Sequence, residues 1–130
     1  VTILDPRRAV GQEGESAAEQ YLRHKGYRIV GRNLRSSVGE LDLVAEDGQV
    51  LVFVEVKARR TGAFGGAIHA VHQRKQEKLI QLAALYLARH HIKDRLCRFD
   101  VVLLQEVGAL PTQIEHIQNA FEVSGEDLRW

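Results

Sequence analysis

Residues 39–59 read GELDLVAEDGQVLVFVEVKAR. Two apolar runs flank Glu46-Asp47-Gly48-Gln49, and Asp-Gly between such runs is a strong hairpin signal, because a type I′ turn needs positive φ at both centres. With Asp47-Gly48 as the loop, Glu46 pairs Gln49, Asp42 pairs Phe53 and Glu40 pairs Glu55. Side chains alternate along a strand, so Glu40, Asp42, Glu55 and Lys57 share one face. Leu41, Leu43, Val52, Val54 and Val56 form the other face and belong to the core. Asp42 and Glu55 then sit diagonally, about 7–8 Å apart at Cα, within reach of one cation.

Three carboxylates on a half-buried face repel one another unless something positive joins them. Lys57 supplies one charge. A divalent ion supplies two more and accepts the oxygen ligands that Mg²⁺ prefers. The plain alternative is the wet face of an antiparallel sheet, where acids and lysines are common. An acid, about a dozen residues, then Glu-x-Lys closing an apolar run is a more specific combination than that alternative requires.

Working outward, GQEGESAAEQYLRHKG (11–26) predicts an opening helix, with Ala18, Tyr21, Leu22 and Lys25 at helical spacing and Gly26 just past its end. YRIVGRNLRSSVG predicts a basic strand and a turn. RRTGAFGGA (59–67) is a glycine-rich, basic loop. VHQRKQEKLIQLAALYLARHHI (71–92) predicts the longest helix, with Leu79, Leu82, Ala83, Tyr86, Leu87 and His90 as its apolar stripe. CRFDVVLLQEV (97–107) reads as a buried strand, and TQIEHIQNAFEV (112–123) as a last strand with an irregular end. The order is helix, three strands, helix, strands: an α/β sandwich around a mixed sheet.

At 130 residues the chain is long enough for one well-packed domain, expected over residues 11–130 behind a tail at 1–10. Cys97 is the single cysteine, which excludes an internal disulfide and fits a reducing, cytoplasmic setting. No apolar run approaches a membrane span, so no membrane role is expected. The sequence has no Met, and the native start is expected upstream of Val1. Net charge is +1, but residues 1–100 hold 17 Lys/Arg against 12 Asp/Glu, while residues 101–130 hold Arg129 against five acids. The first part is +5 and the tail −4, a balance that favours a polyanionic partner for the first part.

GELDL followed by VFVEVKAR resembles the signature of the PD-(D/E)xK nuclease superfamily, with Asp42 as the first acid and Glu55-Val56-Lys57 as E-x-K. Within it, the chain is identified as a member of the YraN-like family of bacterial endonuclease-like proteins, similar to archaeal Holliday-junction resolvases. GxxGE at Gly11–Glu15, Gly26-Tyr27, Arg32-Asn33, RFDVV at 98–102 and EHIQNAF at 115–121 extend the match from Gly11 to Phe121. Leu41, not Pro, precedes Asp42, a departure that is frequent in the superfamily. The resemblance implies a restriction-endonuclease-like αβββαβ core. It also implies that Asp42 and Glu55 hold Mg²⁺ or Mn²⁺ with the Val56 carbonyl, that Glu15 on the first helix completes the set, and that Lys57 positions water and stabilises phosphate charge.

Other residues carry weaker expectations. Glu40 is either a ligand or a supporting acid. Gln73 and Lys75 open the long helix, where a cation opposes the helix dipole; they would hold a substrate phosphate or position Glu55. Arg32, Asn33, Arg35, Arg59 and Arg60, with Lys75, flank the site and would grip nucleic-acid backbone, although each singly is more often a surface charge. Glu19 reads as a surface acid. His69 and His72 lack the companions of a zinc site, His90-His91 suits a helix end, and Cys97 a core position. The expected activity is metal-dependent hydrolysis of DNA, branched or single-stranded, in repair or recombination. The alternatives are a catalytically idle module of the same fold that binds nucleic acid or protein, and a domain whose acids simply face water. Resolvase-like relatives cut two strands symmetrically as dimers, which makes a homodimer an expectation of the resemblance with no interface visible in the sequence.

Overall fold

The computed structural model describes residues 16–59, 73–105 and 113–123. A first helix, α1, covers residues 16–24 and stops at Gly26, whose φ of +93° is the left-handed turn that ends helices without a Cβ clash. Three strands follow: β1 (Arg28–Arg35), β2 (Glu40–Asp47) and β3 (Val50–Arg59). Helix α2 (Gln73–Arg89) leads to β4 (Cys97–Gln105) and β5 (Gln113–Ile117). The five strands lie in the order β1-β2-β3-β4-β5. β3 and β4 run parallel and the other neighbours antiparallel, as a helical crossover between β3 and β4 requires. The chain is therefore an α/β sandwich with a mixed sheet, consistent with a restriction-endonuclease-like core. No described helix is long and apolar enough to cross a membrane.

Both faces of the sheet are buried. Leu79, Leu82, Ala83 and Leu87 of α2 pack on Val44, Leu51, Phe53, Phe99, Val101 and Leu103. Ala18 and Leu22 of α1 pack on Leu43, Ala45, Val52, Val54, Val102 and Leu104. β4 shows the reason for its apolar run, since alternate residues feed opposite cores. One position of the expected apolar stripe lies outside. His90 follows the end of α2 and is exposed, with its ring tilted against Tyr86 at 4.2 Å. Lys25 is exposed beyond α1, where its ammonium reaches His116.

The hairpin departs from the expected register. Asp47 pairs Val50, so the two-residue loop is Gly48-Gln49 and every partner slides by two. Only Gly48 has positive φ, at +60°, the first-position pattern of a type II′ turn. That turn spares Asp47 a left-handed conformation and leaves it in the strand, where its carboxylate accepts from Arg98 at 3.1 Å. A slide of two preserves which face each side chain takes.

A second departure matters more for the site. Arg32 pairs Leu43 and Leu34 pairs Leu41, so all four should face one way. Leu43 packs under α1, whereas Leu34 and Leu41 pack under α2. Between those two pairs lies Asn33, with φ of +51°, a left-handed conformation that Asn tolerates. The strand pair bends there, and Leu41 and Leu43 are not the single core face that unbroken alternation predicts. Asp42 sits at the bend.

The α1 face also holds a buried charge cluster. Asp100 is 1% exposed. Its Oδ1 accepts from Arg98 Nε (2.8 Å) and the Asn119 amide (3.0 Å), and its Oδ2 from Arg98 Nη2 (3.0 Å) and His116 (2.8 Å). Arg98 also donates to the Tyr27 hydroxyl at 2.6 Å. Lys25 Nζ lies 2.8 Å from His116 Nδ1. An ammonium can only donate, so Nδ1 accepts from Lys25 and Nε2 faces the Asp100 carboxylate as donor. The cluster ties the end of α1 to β4 and β5. Burial pushes the Asp100 carboxyl up, but the bonds from His116, Arg98 and Asn119 outweigh it and hold the group below the ordinary range.

Asp100→Ala strands the Arg98 charge, the His116 donor and the Asn119 amide together. Urea unfolding should show a loss of about 3–5 kcal/mol, the scale for breaking a buried pair from one side. Because the folded pKa is depressed, the stabilisation from Asp100 is complete above the unfolded carboxyl pKa of about 4 and is lost as pH falls below it. Wild type should lose stability steeply in that acid range, and Asp100→Ala should lack that component.

Candidate metal and nuclease site

The β2–β3 ladder ends at Leu43 opposite Val54. Beyond it the Val56 amide, which would otherwise seek a carbonyl on β2, donates to Asp42 Oδ2 at 2.8 Å. The Asp42 carboxylate thus stands in for a strand partner at the bend, and it is placed against the backbone joining Glu55 to Lys57. An unmet amide there would be costly, so the bond fixes Asp42 as well as ending the ladder.

Glu55 lies two residues beyond Phe53, on the same face, covered by α2, and is 5% exposed. Burying an unpaired carboxylate costs several kcal/mol, so cations must be near. Lys75 in the first turn of α2 brings Nζ to 3.2 Å from Oε1, and Lys57 brings Nζ to 3.9 Å from the same oxygen. Both lysines are about one-third exposed, so each couples a buried acid to the solvent side of the site. α2 has no acid in its first turn, and Lys75 at this dipole-unfavourable end faces Glu55.

The remaining expected residues are placed as follows. Val56 is half-buried between Glu55 and Lys57. Glu40 is half-buried at the start of β2 and lies 3.8 Å from Arg35, a loose ion pair. Arg32 is not an isolated cation: it donates to Glu19 at 2.5 and 3.2 Å, and Arg23 donates to the same carboxylate at 2.8 Å. Glu19 is therefore a tether between α1 and β1, and its carboxyl is held low chiefly by the Arg32 bond. Asn33 forms the bend. Gln73 is exposed at the first residue of α2. Arg59 is the last residue of β3. Glu15 and Arg60 lie outside the described residues, as do His69, His72 and most of the glycine-rich loop. Cys97 is half-buried, and burial pushes its thiol up to about 11.

Gly39, just before β2, has φ of +154°, and a Cβ there would lie 2.7 Å from Lys78 Cε. Lys78 of α2 thus crosses the β1–β2 turn, closed by Ser36, whose amide donates to the Gly39 carbonyl at 2.8 Å. The strand that carries Asp42 is seated against the helix that carries Lys75.

Sequence reasoning had no role for Arg98, Asp100 and His116, the buried cluster on the other face. The signal was present, since Arg98 and Asp100 alternate on one side of a strand otherwise read as core.

The chemistry suits a hard cation. Asp42 and Glu55 offer carboxylate oxygens and Val56 a carbonyl, and Mg²⁺ commonly takes one or two protein carboxylates with water and substrate phosphate. Among the described residues no group of three or more His, Cys, Asp or Glu is placed to hold a metal.

Comparison with known proteins adds the family. The model of "Uncharacterised protein family UPF0102" matches residues 14–104. A UPF0102 protein of Symbiobacterium thermophilum is 49% identical over 114 residues, covering 88% of this chain and 97% of its own. One from Trichlorobacter lovleyi is 48% identical, covering 89% and 92%, and one from Geobacter metallireducens is 44% identical, covering 90% and 95%. The hairpin, the bend at Asp42 and most of the buried cluster fall in the region matched by the family model, and this chain belongs to the UPF0102 family, the YraN-like group.

Proposed function

We propose that this protein is a divalent-metal-dependent nuclease that hydrolyses DNA phosphodiester bonds in branched or single-stranded substrates, in repair or recombination. The observation that carries the reading is the placement of the Asp42 carboxylate on the Val56 amide, beside a buried Glu55 shared by two lysines. A purely structural acid would be met by fixed donors, whereas Glu55 is met by long side chains that reach out to solvent.

Asp42, Glu55 and the Val56 carbonyl would hold Mg²⁺ or Mn²⁺, with Glu15 as a further donor. The ion supplies Lewis acidity at the phosphate and makes bound water more acidic. The chain's own residues do the rest. The Val56 amide orients Asp42. Glu55 keeps the Lys57 ammonium at the site, where it can hold the attacking water and stabilise charge growing on the phosphate. Lys75 offsets the Glu55 charge from the helix side. The exposed arginines supply a positive surface toward the backbone, Arg35 through a loose pair that a phosphate can displace.

Two experiments test this. Lys57→Ala should stay folded, since the side chain fills no core space, and should keep divalent binding by calorimetry. Its cleavage of a branched or single-stranded DNA should fall about 10²-fold or more, the scale of a group that acts on transition-state charge. Asp42→Ala should lose metal and cleavage together. Equal cleavage by Lys57→Ala and wild type would remove Lys57 from the mechanism; binding without cleavage by wild type would leave a nucleic-acid-binding module instead.

The second concerns charge balance. Lys75→Met leaves Glu55 with Lys57, at 3.9 Å, as its ion-pair partner. Thermal unfolding without divalent ions should show a loss of about 1–3 kcal/mol. Added Mg²⁺ should raise the variant's Tm more than that of wild type, because an ion at Glu55 replaces the missing charge. Equal Mg²⁺ responses would count against an ion at Glu55.

A further inference from the structure

A half-open groove of about 180 Å³ runs between the C-terminal part of β1 and the edge of α2 beside it. Its apolar lining comes from Leu34, Leu41, Leu82 and Leu85. Tyr86, with the His90 ring against it, forms one wall, and Arg35 and Arg89 complete the rim. Asn33, the residue of the bend, also lines it. No acid is among the described lining residues. Leu41 immediately precedes Asp42, so the groove opens beside the proposed metal site. Leu82 is two helical turns beyond Lys75, or about 10 Å along α2.

Size, chemistry and position select one kind of occupant. The volume is below the roughly 300 Å³ at which pockets begin to hold drug-sized molecules, and suits a single planar group. An apolar floor and an aromatic wall favour a flat, weakly solvated ring. Arg89 and Arg35, the latter in a loose pair with Glu40 that a phosphate can displace, favour an anionic attachment to that ring. Leu41 beside Asp42, and about 10 Å of α2 between Lys75 and Leu82, put the groove next to the proposed site. A base within a duplex is stacked and paired and cannot enter; an unpaired base can, and aromatic side chains are its usual platform.

We infer that this groove receives one unstacked nucleobase of a single-stranded segment flanking the scissile phosphate, with Arg35 and Arg89 on its backbone phosphates. The inference rests on the nuclease reading and narrows its substrate to DNA with unpaired nucleotides next to the cut. Duplex DNA lacks the group that fills the groove.

A thermodynamic cycle tests it without requiring cleavage. The full chain and its Leu85→Glu variant are each titrated, in Ca²⁺, with a labelled dT oligonucleotide and with an abasic strand of the same length and charge. Leu85 is half-buried at that edge of α2, so the variant should fold, which circular dichroism checks. Leu85→Gln provides the same comparison without added charge. Any general electrostatic penalty of the introduced carboxylate applies to both strands and cancels in the ratio. Wild type should prefer the dT strand by about 10-fold or more, the scale of one stacked base, and the variants should lose about that factor. Equal losses on both strands overturn the base pocket and leave the nuclease reading intact. Failure of folded wild type to bind either strand overturns both.

Discussion

Two carboxylates are buried in adjacent rows of this sheet, and the way each is compensated organises the rest of the molecule. Asp100 lies opposite Val54, and Glu55 lies opposite Val101, on neighbouring parallel strands. They point to opposite faces. A buried carboxylate must find donors or cations worth several kcal/mol, or it will not stay ionised or buried. Asp100 finds four hydrogen bonds from a guanidinium, a ring and a backbone amide, all held in place by strands and turns. Glu55 finds two flexible ammonium groups, the nearer at 3.2 Å. The first arrangement is complete and rigid, and behaves as a clamp on α1, β4 and β5. The second rests on long side chains that reach solvent, the kind of compensation that the proposed uptake of a cation and a phosphate would call for.

Much of this is legible in the sequence because strand alternation survives errors of detail. The hairpin loop is Gly48-Gln49 and not Asp47-Gly48, yet sliding the pairing by two residues moves no side chain to the wrong face, and Glu55 and Lys57 remain together. The apolar spacing of α2 places Leu79, Leu82, Ala83 and Leu87 correctly. The failures have local causes. A left-handed Asn33 is invisible to a reading that assumes regular pleating, so Leu41 and Leu43 are expected on one face and occupy two. His90 fits the helical period but falls past the last helical residue.

The cluster around Asp100 escapes the sequence for a different reason. An Arg and an Asp two apart in an apolar strand signal a buried pair, but the partners that justify it come from residues 27, 47, 116 and 119, and no local pattern joins them. Long-range polar networks are set by tertiary placement. The same holds for Arg32, expected as a hand for phosphate and found gripping Glu19. A basic sequence is not yet a basic surface: charges that bridge elements inside the fold contribute less to the outward field than a count of residues implies.

The +5 excess over residues 1–100 survives internal pairing, since each ion pair removes one charge of each sign. What changes is where the excess can act. Arg32, Arg95 and Arg98 are held by Glu19, Glu46, Asp47 and Asp100 at 3.1 Å or less. Among the described residues, the cations with loose or solvent-reaching attachments include Arg35, Lys57 and Lys75, beside the bend at Asp42, and Arg89 at the rim of the groove. Tight pairs therefore tie α1 to β1 and the hairpin end to β4, while Arg35, Lys57 and Lys75, in longer pairs, stand where β2 parts from β3. The bend that breaks regular strand geometry is also what brings that charge to the proposed site. One left-handed asparagine and one carboxylate in place of a strand partner end the regular β2–β3 ladder at the proposed site.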